Sequence, residues 1–85
     1  MQTQATNRVE ALLIPDTAAA QLAGVSRAHL HRMRAAGKWG PKAIRLGRKL
    51  LFSRDETIQW INAACPDGRT WEAMQASAAR RLRVS

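Results

Sequence analysis

Arginine and histidine crowd one short stretch, Ser26-Arg27-Ala28-His29-Leu30-His31-Arg32-Met33-Arg34. Paired histidines suggest metal or proton chemistry, but the spacing argues against both. Two residues apart on a helix, the rings diverge, and no cysteine or acidic residue lies nearby in the sequence. Arginine at this density suits anions instead. Its planar fork matches phosphate and, in a DNA major groove, the O6/N7 edge of guanine. On a helix, Arg27, Ala28, His31 and Arg32 fall on one side, with His29 at the border. Arg32 is the expected guanine reader, and Arg27, in the first turn, the expected phosphate contact. His31 reads as a polar contact to base or phosphate. Ala28 lets the helix sit close, with its methyl against a thymine methyl.

The charge distribution supports an anionic partner. The chain of 85 residues carries 14 Lys and Arg against 6 Asp and Glu, a formal net charge of +8. No acidic residue occurs from Thr17 to Arg54, where Arg27, Arg32, Arg34, Lys38, Lys42, Arg45, Arg48, Lys49 and Arg54 are concentrated. A solvated surface normally mixes the two signs, so a single-sign run reads as a footprint for phosphates. The lone cysteine, Cys65, excludes an internal disulfide and reads as an inert thiol in a reducing, cytoplasmic setting. No secretory leader is legible, and no stretch reaches the roughly 20 apolar residues of a membrane span.

The elements that must position these residues follow from local signals. Residues 1–11 form an expected polar tail, frayed over Met1 to Arg8. Residues 12–65 form one small domain, and residues 66–85 a C-terminal helical extension. Leu12, Leu13 and Ile14 are expected to enter the core. Pro15-Asp16-Thr17 opens a first helix, with the Asp and Thr side chains accepting free amide protons. Gly24 ends it in the left-handed conformation. Ser26 caps the second helix, Val25, Leu30 and Met33 face inward, and Gly37 is the stop. Ile44-Arg45-Leu46 and Leu50-Leu51-Phe52 alternate as strands around the basic turn Gly47-Arg48-Lys49, which predicts a β-hairpin.

Ser53-Arg54-Asp55-Glu56 fits a capping box. The third helix that follows puts Thr57, Trp60, Ile61 and Ala64 on one face and ends at Pro66-Asp67-Gly68. Thr70 is the expected cap of a fourth helix, from Trp71 to about Leu82. Its narrow stripe is Trp71, Met74, Ala78 and Leu82, and Arg80, Arg81 and Arg83 suit its C-terminal end. Trp60 reads as packing. Trp71 is expected to bury against the domain or a neighbouring subunit. Trp39 fits either packing or a stacking platform for a single strand.

Three blocks carry a resemblance: Ala19-Ala20-Gln21-Leu22-Ala23-Gly24-Val25-Ser26-Arg27, Ile44-Arg45-Leu46-Gly47-Arg48-Lys49, and Ser53-Arg54-Asp55-Glu56 with Trp60-Ile61. In this order and spacing, Leu13 to about Ala64 resembles the winged helix-turn-helix of the excisionase and AlpA-like families, related in fold to the DNA-binding head of MerR regulators. The implied fold is mainly α with a small β-hairpin: helix-turn-helix, two-stranded wing, third helix, then the C-terminal helix. Two features depart from the family pattern. Thr57 stands near a position usually held by a large aliphatic residue, and the connector with Trp39, Gly40 and Pro41 is longer.

The resemblance implies sequence-specific binding to double-stranded DNA. Relatives of excisionase type are recombination directionality factors that bind and bend attachment-site DNA and assist a tyrosine-type integrase. Relatives of AlpA type regulate transcription at promoters. The expected DNA contacts are Ser26, Arg27, Ala28, His29, His31 and Arg32 on the second helix, with Arg45, Arg48 and Lys49 on the hairpin. One module of this size buries roughly 600–1,000 Å² on DNA, so self-association of copies on adjacent sites is expected to add affinity. A protein-interaction module with an acidic partner is the reading from another class. No carboxylate pair, metal cluster, phosphate loop or nucleophile–base arrangement points to an enzyme. No cofactor, metal ion or membrane partner is expected.

Overall fold

The computed structural model describes residues 11–84, with side chains as far as Arg80. The expected tail before Ala11, and the expected roles of the Arg81, Leu82 and Arg83 side chains, lie outside the described residues. The elements are β1 (Leu13–Pro15), α1 (Asp16–Ala23), α2 (Arg27–Ala35), β2 (Ala43–Leu46), β3 (Lys49–Ser53), α3 (Arg54–Asn62) and α4 (Gly68–Val84). The four helices and the hairpin agree with the mainly α class. The sheet has a third strand beyond the expected hairpin: its order is β1–β3–β2, antiparallel throughout. Three residues ending in a proline give little alternation to read, and Pro15 is tolerated because β1 is an edge strand.

Strand pairing decides which residues meet the core. Ile14 and Ala43 both lie opposite Phe52, and Arg45 lies opposite Leu50. Residues two apart on a strand share a face, so Ile14, Ala43, Leu50 and Phe52 make the inner face and Arg45 extends it outward. Ile44 and Leu46 therefore belong to the outer face with Leu13 and Leu51, so the apolar pair of this strand's alternation is not its inner pair. Leu46 is 60% exposed and Leu12 64% exposed, so Leu12 does not enter the core as expected.

Alanines make the first helix pack closely. Ala19 and Ala20 are buried against Ile14, Leu30 and Phe52 in one core. Gly24, at φ 77°, ends α1. The Val25 amide donates to the Ala20 carbonyl at 2.9 Å, and the chain turns straight into α2. The Ser26 hydroxyl caps α2 by accepting from the His29 amide at 3.0 Å. Leu30 is fully buried, and Val25 and Met33 pack beside it. Ala36 is the C-cap, and Gly37 at φ 74° completes the stop.

Residues 38–42 form a strap under which the aromatic core assembles. Trp39 is buried and sits 4.7 Å from Trp60 and 5.8 Å from Phe52, ring centre to ring centre. This settles Trp39 as packing and not a platform for bases. Its indole N–H is buried with no hydrogen-bond partner among the described residues. Gly40 lies so close to the Trp60 ring that a Cβ there would fall 2.4 Å from Trp60 Nε1. The connector thus carries a core residue and a glycine required by contact.

The capping box of α3 is half formed. The Ser53 hydroxyl accepts from the Glu56 amide at 3.1 Å. The Glu56 carboxylate does not return to Ser53: it accepts from the Trp71 indole N–H at 2.9 Å and, at 3.4 Å, from the Lys42 amide. Thr57 is fully buried and donates to the Ser53 carbonyl at 2.7 Å. Its hydroxyl is satisfied locally, which explains how a polar residue is fully buried there. The helix ends at Asn62, four residues before Pro66. Ala64 at φ 72° and Cys65 at φ 54° take left-handed conformations, and the Cys65 amide donates to the Trp60 carbonyl. Ala64 therefore leaves the buried face and is exposed. Tertiary bonds explain the early stop, since Trp60 Nε1 donates to the Pro66 carbonyl at 2.7 Å.

Asp67, and not Thr70, caps α4: its carboxylate accepts from the Thr70 amide at 2.8 Å. The helix begins at Gly68, whose amide donates to the Gly37 carbonyl at 2.9 Å. Trp71 is 4% exposed and anchors the helix to the body, whereas Met74, expected in the same stripe, is 44% exposed. The radius of gyration, 14.5 Å, exceeds the roughly 12 Å of a compact chain this long. Along the described part of the stripe Ala78 is half-buried, so burial is full only at Trp71.

Candidate nucleic-acid interface

The second helix turns two sides outward, and they differ in chemistry. On one side stand Ala28, His29 and Arg32, all exposed. Arg32 Nη2 approaches His29 Nδ1 at 3.4 Å, a long contact that leaves its other donors free. On the other side Arg27 and His31, four apart, lie one above the other. Both are tied to α1: Arg27 Nε and His31 Nε2 each lie 2.7 Å from Asp16 Oδ2. The border residue is therefore His31, at 34% exposure, and not His29.

Asp16 joins α1 to α2. Pro15 is the N-cap of α1 and contributes no side-chain bond, and the cap expected of this turn is reduced to the pull of the Asp16 carboxylate on the Thr17 amide. The carboxylate is 16% exposed. The His31 hydrogen bond, more than any other cause, holds its pKa below the usual 3.8, helped by Arg27 and opposed by partial burial. A carboxylate so held is ionised and only accepts, so His31 Nε2 carries a proton. A signal was available. Asp16 is the acid that directly precedes the acid-free run, and a lone carboxylate beside so many cations finds one of them.

The hairpin supplies the second basic group. Leu46 pairs with Lys49, so Gly47 and Arg48 are a two-residue loop. Gly47, at φ 64°, takes the conformation that such a loop requires at its first position. Arg45, Arg48 and Lys49 are exposed, and none has a hydrogen bond or ion pair among the described residues. Arg45 projects on the helix side of the sheet, because it continues the face of Ala43 and Leu50. Arg34, by contrast, turns inward, its guanidinium 5.9 Å from the centre of the Phe52 ring.

Acidic groups gather elsewhere. Asp55, Glu56 and Glu72 line an open groove of about 660 Å³ between the strap, α3 and α4, walled by Trp39 and Trp71. Arg34 and Lys42 line the same groove, so its charge is mixed, whereas the exposed cations of the hairpin have no carboxylate partner among the described residues. Among the described residues no group of three or more His, Cys, Asp or Glu could hold a metal ion, and no helix is long and apolar enough to cross a membrane. No family model matches the chain, and no curated protein or solved structure is similar to it.

Proposed function

We propose that this protein binds double-stranded DNA as a winged helix-turn-helix factor of excisionase type. In this reading α2 lies in a major groove, and the β2–β3 hairpin is the wing on the adjacent backbone. One observation carries the proposal. A helix capped by Ser26 and set by the Gly24 turn presents Ala28, His29 and Arg32 to solvent, with no acidic group left free beside them among the described residues. Arg45, Arg48 and Lys49 add cations on the hairpin that are unpaired among the described residues. The protein then bends attachment-site DNA, with copies on adjacent sites, and assists a tyrosine-type integrase in excision.

The test has two arms. Gel-shift titrations across a salt series measure whether the logarithm of affinity falls steeply with that of salt, as counterion release requires. A bending assay on attachment-site DNA and an excision assay with the integrase then test the role. A flat salt response refutes DNA binding. Steep DNA binding with normal excision in the protein's absence refutes the excision role, and genome-wide occupancy at promoters then assigns it to AlpA-type regulation.

A further inference from the structure

We infer that Asp16 is a positioning residue that makes Arg27 a reader of guanine, where the sequence suggested a phosphate contact. The inference rests on the DNA-binding reading and concerns the chemistry of the same helix. Arg27 is the first residue of α2, and the N-terminal residues of such a helix are the ones that reach base edges. Only its Nε is bonded to Asp16, at 2.7 Å. The two terminal nitrogens have no partner among the described residues, and they form the fork that meets guanine O6 and N7. The side chain is 64% exposed, so this fork is open to a groove.

Electrostatics assigns the role. Arg27 and Asp16 together carry no net charge, so Arg27 is a poor counterion for phosphate. Its geometry is nevertheless held, and an arginine already ordered loses less side-chain entropy on binding. His31 braces the arrangement from the other side, on the same oxygen at 2.7 Å. Asp16 is itself in the first turn of α1, on the rigid body and not on a loop. A free arginine follows any phosphate within reach, whereas a braced one favours the base its fork meets.

A duplex selected from a random pool by the wild-type protein supplies the probe, and each base pair is then replaced in turn. The wild type should lose roughly 5- to 150-fold at one guanine, the range for a bidentate contact. Arg27→Ala should abolish that preference, and Arg32→Ala should leave it intact. Asp16→Asn should flatten the preference to a few-fold while raising the salt slope by about one, because Arg27 becomes free to pair with phosphate. A role confined to stability would not raise the slope. Circular dichroism checks that the variant folds, and in wild type the Arg27 Nε–H should remain hydrogen-bonded to Asp16, and so protected from exchange with water, when DNA is added. Full guanine preference in Asp16→Asn, or an Nε–H that exchanges freely in the complex, overturns the inference. So does steep salt-dependent binding with no guanine preference, which leaves the DNA reading intact. A wild type without salt-dependent binding removes both.

Discussion

Gly40→Ala tests the packing that carries the chain from α2 to the hairpin. The added Cβ would lie 2.4 Å from Trp60 Nε1, 2.5 Å from Cδ1 and 3.1 Å from Cε2. Ordinary carbon contacts are about 3.5–4.0 Å, so strap or ring must move by an ångström or more. The ring has nowhere to go. It is fully buried, tilted against Trp39 at 4.7 Å and bonded through its N–H to the Pro66 carbonyl at 2.7 Å. Overpacking of this kind costs about 1–3 kcal/mol, and weakening the indole bond adds about 0.5–1.5 kcal/mol. The expected loss is about 2–4 kcal/mol. A domain of this size has a total stability of roughly 4–13 kcal/mol. At about 4–8 °C per kcal/mol, the midpoint should fall by roughly 10–30 °C. Thermal and urea unfolding followed by circular dichroism measure it. Gly47→Ala is the control: nothing lies within 4 Å of its Cβ, so it bears only the strain of φ 64°, about 1–2 kcal/mol. Gly40→Ala unfolding within about 0.5 kcal/mol of wild type, the scatter of ordinary surface changes, would falsify the packing argument.

Other expectations follow from single features. Ala64→Gly should stabilise by about 0.5–1 kcal/mol, since alanine at φ 72° bears a strain that glycine lacks; urea midpoints decide, and no gain contradicts the left-handed turn. Asp16 has a folded-state pKa below its ordinary 3.8, so its contribution to stability is full above that value and is lost as pH falls through the folded value. Thermal midpoints should therefore drop on acidification below about pH 4, and less steeply in Asp16→Asn, which has no such proton to bind. Lys49→Ala should weaken binding to all duplexes about equally and lower the salt slope by about one. Arg32→Ala should weaken binding by about 1–3 kcal/mol and relax preference at one base position, distinct from that of Arg27. Identical effects of these two variants across sequences contradict the division between base reading and backbone anchoring.

The residues that announced themselves in the sequence are those whose signals are local. Ser26 caps α2 and Gly24 ends α1, because a cap is an interaction between residues three apart and a left-handed turn belongs to one residue. The β2–β3 hairpin is legible from alternation around Gly47. The acid-free basic run, and hence an anionic partner as the expectation, comes from charge counting alone. None of this needs knowledge of the fold.

Long-range contacts decided the rest. Strand β1 exists because β3 is there to pair with it, and the pairing turns Ile44 and Leu46 outward although they are the apolar pair of their strand's alternation. The Glu56 carboxylate leaves its own helix start for Trp71, since a buried indole N–H is the costlier group to leave unpaired. Asp16 shows the same competition at the candidate interface. Eleven and fifteen residues separate it from Arg27 and His31, a distance at which sequence periodicity carries no information. Which arginines are present could be read from the chain. Which of them is braced, and which is free, depends on how α1 and α2 pack.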